Sequence, residues 1–98
     1  MKLPRLSPTT VVVRRAGLVD AEIDHEIVAL NIESGNCYSL NSVGSRIWCL
    51  LHAPLCIKDI CTRLIEEYQV QPDICEQHVL DLLEELHAEG LIALSEER

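Results

Sequence analysis

The sequence predicts an α+β domain: a three-stranded antiparallel sheet followed by three helices. Three observations predict it. Before residue 41 the apolar residues alternate with a period of two, and after residue 42 they recur at helical spacing. Turn-forming residues fall at the joints between these segments. The strand-like and helix-like segments are segregated along the chain and do not interleave, which is the α+β pattern.

Residues 1–9 contain two prolines and read as a flexible, extended N-terminal arm. Thr10 to Arg15 is a β-branched run and is the first predicted strand; Gly17 breaks it. Glu26 to Glu33 alternates, with Val28, Leu30 and Ile32 on one face and Ile27, Ala29 and Asn31 on the other, as in a half-buried antiparallel strand. Ser34-Gly35-Asn36 is a turn signal, so this strand and the next, Asn36 to Leu40, form a hairpin. On that third strand Tyr38 and Leu40 share a face, and Cys37 and Ser39 take the other.

The strand runs straight into a helix over about Ser42 to Leu51, where Asn41 and Ser42 are both capping types and Ile47, Trp48, Leu50 and Leu51 form the apolar face. Gly44 lies in the first turn, where the missing side chain lets the helix approach the sheet. The second helix spans about Ile57 to Gln69, with Ile57, Ile60, Cys61, Leu64, Ile65 and Tyr68 at helical spacing. Pro72 separates it from the third, for which Asp73 is the expected N-cap and Glu76 the capping-box partner. Cys75, Val79, Leu82, Leu83 and Leu86 make its buried stripe. Gly90 ends it, and Leu91-Ile92 folds back on the core. The expected organisation is thus an arm over 1–9, one domain over 10–94 and a C-terminal tail over 95–98.

Ninety-eight residues suit one domain. With three aromatics and no Phe the core is aliphatic, and a stacking platform for single-stranded nucleic acid is disfavoured. Charge is uneven. Lys2, Arg5, Arg14 and Arg15 give the first nineteen residues +4, whereas from Asp20 onward sixteen acids face four bases, for a total of −8. That balance opposes binding to a phosphate backbone. Its plain meaning is a soluble surface; its functional meaning is an attraction for basic peptide segments. Five cysteines, an odd number, with no export signal and no segment of transmembrane length, point to free thiols in the reducing cytoplasm.

Cys49 and His52, and Cys75 and His78, stand three apart on helices, but no Cys-x-x-Cys pair exists and the thiols fall in or beside apolar stripes, so no metal is expected. No nucleophile motif or phosphate loop is present, and no catalytic residue or cofactor is assigned. Three helices beside a small sheet also suit a winged helix-turn-helix arrangement. However, the third helix region offers Asp73, Glu76, Asp81, Glu84, Glu85 and Glu89 and no Lys or Arg. Such a helix is repelled by DNA. An open sheet edge, in contrast, accepts an extended peptide by main-chain bonding, and a helix beside that edge makes the second wall of a groove.

Several runs resemble the PqqD-like recognition elements for precursors of ribosomally synthesised and post-translationally modified peptides. They are Asp20-Ala21-Glu22-Ile23-Asp24, the Ile27 to Ile32 strand, Gly35-x-x-Tyr38-x-Leu40-Asn41-x-x-Gly44-x-x-Ile47-Trp48-x-Leu50-Leu51, Ile60-x-x-x-Leu64 ahead of Tyr68, and Val79-x-x-Leu82-Leu83-x-x-Leu86-x-x-x-Gly90-Leu91-Ile92. Together they cover about Val12 to Leu94. One departure is Cys56, where the family often has Ser or Thr; a weaker helix cap there costs about 1 kcal/mol.

The resemblance implies a winged-helix-like, non-catalytic domain. Its ligand would be the leader of a precursor peptide, added as a strand beside the third strand in a groove shared with the third helix. Its partner would be a leader peptidase of the transglutaminase-like cysteine protease type, in lasso-peptide biosynthesis, or another modifying enzyme. The alternatives are a chaperone delivering a precursor to a radical SAM enzyme in pyrroloquinoline quinone synthesis, or a winged-helix protein–protein adaptor. The residues expected at the peptide are Cys37, Tyr38, Ser39 and Leu40 on the edge strand, and Glu76, Val79, Leu80, Leu83 and Glu84 on the third helix. Leu80 falls outside the main stripe, and either lines the groove or widens the core face.

Overall fold

A computed structural model describes residues 6–94. The first five residues of the expected arm and the expected 95–98 tail lie outside the described residues. The elements are β1 (Val11–Arg14), β2 (Leu18–Ile23), β3 (Glu26–Asn31), β4 (Cys37–Leu40), α1 (Ser42–Leu50), β5 (Leu55–Cys56), α2 (Ile57–Tyr68), α3 (Pro72–Ala88) and β6 (Ile92–Leu94). The fold is α+β, with a three-stranded antiparallel sheet of order β2-β3-β4 and three helices.

The sheet differs in membership from the sequence expectation. β1 does not join β3 and β4; it is the centre of a second small sheet of order β5-β1-β6, in which Val12 faces both Leu55 and Leu94. Its place in the main sheet is taken by β2, which pairs with β3 from Leu18↔Asn31 to Ile23↔Glu26. The sequence LVDAEI hid this strand because acids occupy alternate positions and only Val19 and Ile23 are β-branched. Asp24 and His25 join β2 to β3 with positive φ values of 53° and 67°. Two consecutive left-handed residues are the requirement of the tightest hairpin turn.

The buried side chains form one core, with Ile27, Ala29 and Leu40 from the sheet, Ile47, Trp48 and Leu51 from the α1 region, Ile57, Ile60 and Leu64 from α2, and Val79, Leu83 and Leu86 from α3. Leu91 and Ile92 close it, at 1% and 0% exposure. The described part of the arm is packed: Leu6 is buried, and the Pro8 and Thr10 carbonyls accept from the Lys58 and Ile57 backbone N–H groups at the start of α2. Cys56, the N-cap of α2, caps with no side-chain bond; its thiol donates to the Pro8 carbonyl at 3.0 Å. It ties the arm down in place of capping the helix.

The strand-to-helix joint is built from the residues that mark it in sequence. Asn41 caps α1 by accepting from the Gly44 N–H at 2.8 Å. A Cβ on Gly44 would meet Asn41 Oδ1 and Leu40 Cδ2 at 3.3 Å, so the bare glycine keeps α1 tight on β4. Ser45, buried, accepts from the Ile27 N–H at 2.8 Å and donates to the Leu40 carbonyl at 3.1 Å, satisfying polar groups of two strands at once. Trp48 is anchored by its indole N–H donating to Asp20 at 2.7 Å, with the Arg14 guanidinium stacked 4.8 Å from the ring centroid. β1, β2 and α1 are thereby locked together.

The third helix starts differently from the sequence expectation. Pro72 is inside it, at the first position, and Gln71 is the N-cap without a side-chain bond. Asp73 is in the first turn, where its carboxylate accepts from the adjacent Ile74 N–H. A proline in that position has no N–H to leave unpaired and a φ already suited to the helix; this displaced the capping box expected at Asp73 and Glu76.

Candidate functional site

β4 is an edge strand. Its inner neighbour is β3, with Ile27↔Leu40 and Ala29↔Tyr38 in register, and no strand among the described residues pairs with its outer side. Four residues thus present one open row of main-chain donors and acceptors. Leu40 is buried beneath the sheet and Tyr38 is half-buried on the same face, whereas Cys37 and Ser39 are exposed on the other.

α3 lies near this edge. The Tyr38 hydroxyl donates to the Glu85 carboxylate. That bond, reinforced by partial burial and by the nearby charges of Glu85 and Glu89, pushes the Tyr38 phenol up to about 12. Tyr38 therefore stays protonated at any physiological pH and acts as a fixed strut between β4 and α3.

Beyond the strut a cavity of about 580 Å³ opens beside the end of β4. Asn41, Val43, Gly44 and Ile47 line it from the α1 side, Leu64, Tyr68 and Val70 from the end of α2, and Ile74, Cys75, His78, Val79 and Leu82 from α3. Its surface is mostly apolar. Seven large hydrophobic side chains are exposed among the described residues, and four of them, Val43, Tyr68, Val70 and Ile74, line this cavity. Clustered exposed apolar surface of this kind marks a binding groove.

The sequence-derived site residues divide between two flanks of α3. Successive residues of a helix point about 100° apart. Val79 faces the core and borders the cavity; its neighbours His78 and Leu80 point to opposite sides. Of the predicted site residues Val79 alone lines the cavity; Cys37, Tyr38, Ser39 and Leu40 form the edge strand, where Tyr38 meets Glu85 of α3 and Leu40 is buried. Leu83 is fully buried beneath them. Glu76, Leu80 and Glu84 lie on the far flank and do not border the cavity; Leu80 is packed against the core. Of its two readings in the sequence, the structure favours the wider core stripe.

The groove residues that sequence reasoning did not select are Val43, Val70, Ile74, His78 and Leu82. One signal for them existed. Val43, Val70 and Ile74 are large apolar residues outside the helical stripes, as is expected of a side chain kept for a ligand and not for the core. His78 and Leu82 carried no such signal, because only the position of β4 shows which flank of α3 is the groove wall.

Two buried thiols face each other across α2 and α3. Cys75 Sγ lies 3.9 Å from the Cys61 carbonyl, and burial pushes the Cys61 thiol up to about 11 and raises that of Cys75. Both are protonated, apolar space-fillers at neutral pH. Among the described residues there is no group of three metal-ligating side chains and no helix long and apolar enough to cross a membrane.

An open edge strand walled by a helix and ending in an apolar cavity is the anatomy of a domain that takes up an extended chain. Comparison with known proteins gives this class its family. The profile of the PqqD family, described as Coenzyme PQQ synthesis protein D, matches residues 26–92, and the chain belongs to that family. Among solved structures it is similar to one described as TbiB1 in complex with the TbiA(beta) leader peptide. The identity there is 31%, covering 88% of this chain and 98% of the other, with a TM-score of 0.76. A second, described as lasso peptide synthetase B1 complexed with the leader peptide, shares the fold at 23% identity, covering 84% of this chain and 96% of the other, with a TM-score of 0.69. Comparison with curated proteins gives no match.

Proposed function

We propose that this protein binds the leader segment of a ribosomally synthesised precursor peptide as a strand added to β4, and presents it to a leader peptidase in lasso-peptide biosynthesis. The observation that carries the reading is the unpaired edge of β4 beside the apolar cavity. Its support is the fold shared with two proteins solved with leader peptides. Main-chain bonds along β4 supply sequence-tolerant affinity; alternate side chains of the peptide turn toward the groove and supply selectivity. The domain is non-catalytic and cytoplasmic on this reading, and its partner a transglutaminase-like cysteine protease.

A second reading keeps the same groove but changes the partner. The match to a family named for coenzyme PQQ synthesis favours delivery of a precursor to a radical SAM enzyme. The neighbouring genes separate the two: a short precursor gene with a protease and cyclase supports the first, a radical SAM gene the second.

The test is titration of a labelled leader from that neighbourhood. One-to-one saturable binding is expected. Proline placed at successive leader positions removes one N–H at a time, so positions paired to β4 should weaken binding in an alternating pattern. Uniform tolerance of proline would exclude strand addition.

A further inference from the structure

Two thiols lie buried and adjacent on neighbouring helices, Cys61 on α2 and Cys75 near the start of α3. The link at residues 69–71 folds these helices against each other. The Cys75 thiol points across their interface at the Cys61 carbonyl, 3.9 Å away. Each thiol senses the other: Cys61 favours the Cys75 thiolate, and Cys75 opposes that of Cys61. Their access differs. Cys75 lines the cavity between Ile74 and His78, whereas Cys61 does not border it. The other cysteines stand apart: Cys37 and Cys49 are exposed, and the Cys56 thiol is bonded to the Pro8 carbonyl. The cavity thus opens a route to one sulfur of a buried pair, with the second sulfur behind it.

We infer that Cys61 and Cys75 form a disulfide-exchange site, entered through the cavity by a small, neutral disulfide, and that the resulting cross-link lowers the affinity of the groove for the leader. The site stands on the helix geometry alone; its effect on the leader rests on the strand-addition reading above. Cys75 loses its proton and attacks one sulfur of the reagent, and the other reagent sulfur leaves as a thiolate that takes up that proton. Cys61 then gives up its proton and attacks Cys75 Sγ, expelling the second reagent thiol. The two cysteines lose two electrons, and the reagent gains them as two free thiols. A sulfur–sulfur bond is shorter than any non-bonded contact across the interface. It draws the start of α3, with Ile74 and His78, toward α2 and narrows the cleft they share with Tyr68 and Val70. A leader seated in the cavity in turn covers Cys75, so the loaded carrier is shielded from the reagent.

The experiment treats the reduced full chain with 2-hydroxyethyl disulfide and maps its cysteines by mass spectrometry. A Cys61–Cys75 link, marked by the loss of two hydrogens, is expected beside simple adducts at the exposed Cys37 and Cys49. Leader at about ten times its Kd should slow the link about tenfold and leave the rate at Cys49 unchanged. Cys61→Ala, or Cys61→Ser where the alanine variant fails to fold, cannot form the link and takes the same surface adducts. Treated wild type should bind labelled leader about fivefold or more weakly than the treated variant, and reduction should abolish the difference. Adducts without a Cys61–Cys75 link overturn the site. A link formed equally fast under saturating leader overturns entry through the cavity, and a link without loss of affinity overturns its effect on the groove. Absence of leader binding in the reduced wild type, with the link still forming, instead overturns the strand-addition reading.

Discussion

The two flanks of α3 have similar composition and different surroundings. One carries Ile74, His78, Leu82 and Glu85, borders the cavity and meets Tyr38; the other carries Glu76, Leu80, Glu84 and His87. Each has an apolar residue off the main stripe. On the groove side that residue is Ile74, half of whose surface faces solvent. On the far side it is Leu80, which packs against the core. The difference teaches that a side chain in excess of the core stripe is a ligand candidate only when a second wall stands opposite it. The start of α1 and the end of α2 supply that wall on one flank alone.

The strongest way to break this comparison is to place a charge on the groove flank. Ile74→Asp puts a carboxylate in the first turn of α3, where the helix N-terminus favours it, so the free protein should keep its stability. A leader covering that position would bury an unpaired charge, at a cost of several kcal/mol. Binding should fall about 100-fold or more, since each 1.4 kcal/mol is a factor of ten. Fluorescence titration with circular dichroism reads both outcomes; a folded variant with undiminished affinity would move the peptide out of the cavity.

The matching change on the far flank should do the reverse. Leu80→Arg removes packing against the core and should destabilise the fold by roughly 1–3 kcal/mol. In a domain of this size each kcal/mol lowers the melting temperature by about 4–8 °C. The folded fraction should bind leader as the wild type does. Thermal unfolding followed by titration well below the transition measures the two effects separately. Loss of binding with unchanged melting would restore Leu80 to the groove.

This split also marks how far the sequence could be read. The third strand, its hairpin with β3, the joint at Asn41 to Gly44 and the helices came through, because each rests on local spacing, capping or turn chemistry. The family resemblance agreed with the family match. What failed were features set by distant neighbours. β1 pairs with Leu55 and Leu94, about forty and eighty residues away, and no local pattern assigns a strand to one sheet over another. β2 was obscured because its acids serve tertiary contacts: Asp20 holds the Trp48 indole and lies 3.5 Å from Arg14. The choice between flanks of α3 depended on where β4 passes, which period and composition do not encode.

The smallest expected effect sharpens the comparison at the strut between β4 and α3. Tyr38 is held to Glu85 by a bond to a charged acceptor near the surface, so its loss should cost no more than about 1 kcal/mol after solvent screening. Tyr38→Phe keeps the ring over the core and should leave leader affinity within a few fold. The pH dependence carries the sign. The folded phenol, pushed up to about 12, exceeds its unfolded value of 10, so folding favours the protonated form. The strut's contribution is therefore complete below pH 10 and is lost as the pH rises from 10 toward 12. Absorbance titration follows phenolate formation, and the Tyr38 phenol should ionise late. In Glu85→Gln the late transition should move back toward 10, because the charge that opposes phenolate formation is gone. If Tyr38 titrates normally in the wild type, the bond is not kept in solution, and β4 reaches the groove wall by packing alone.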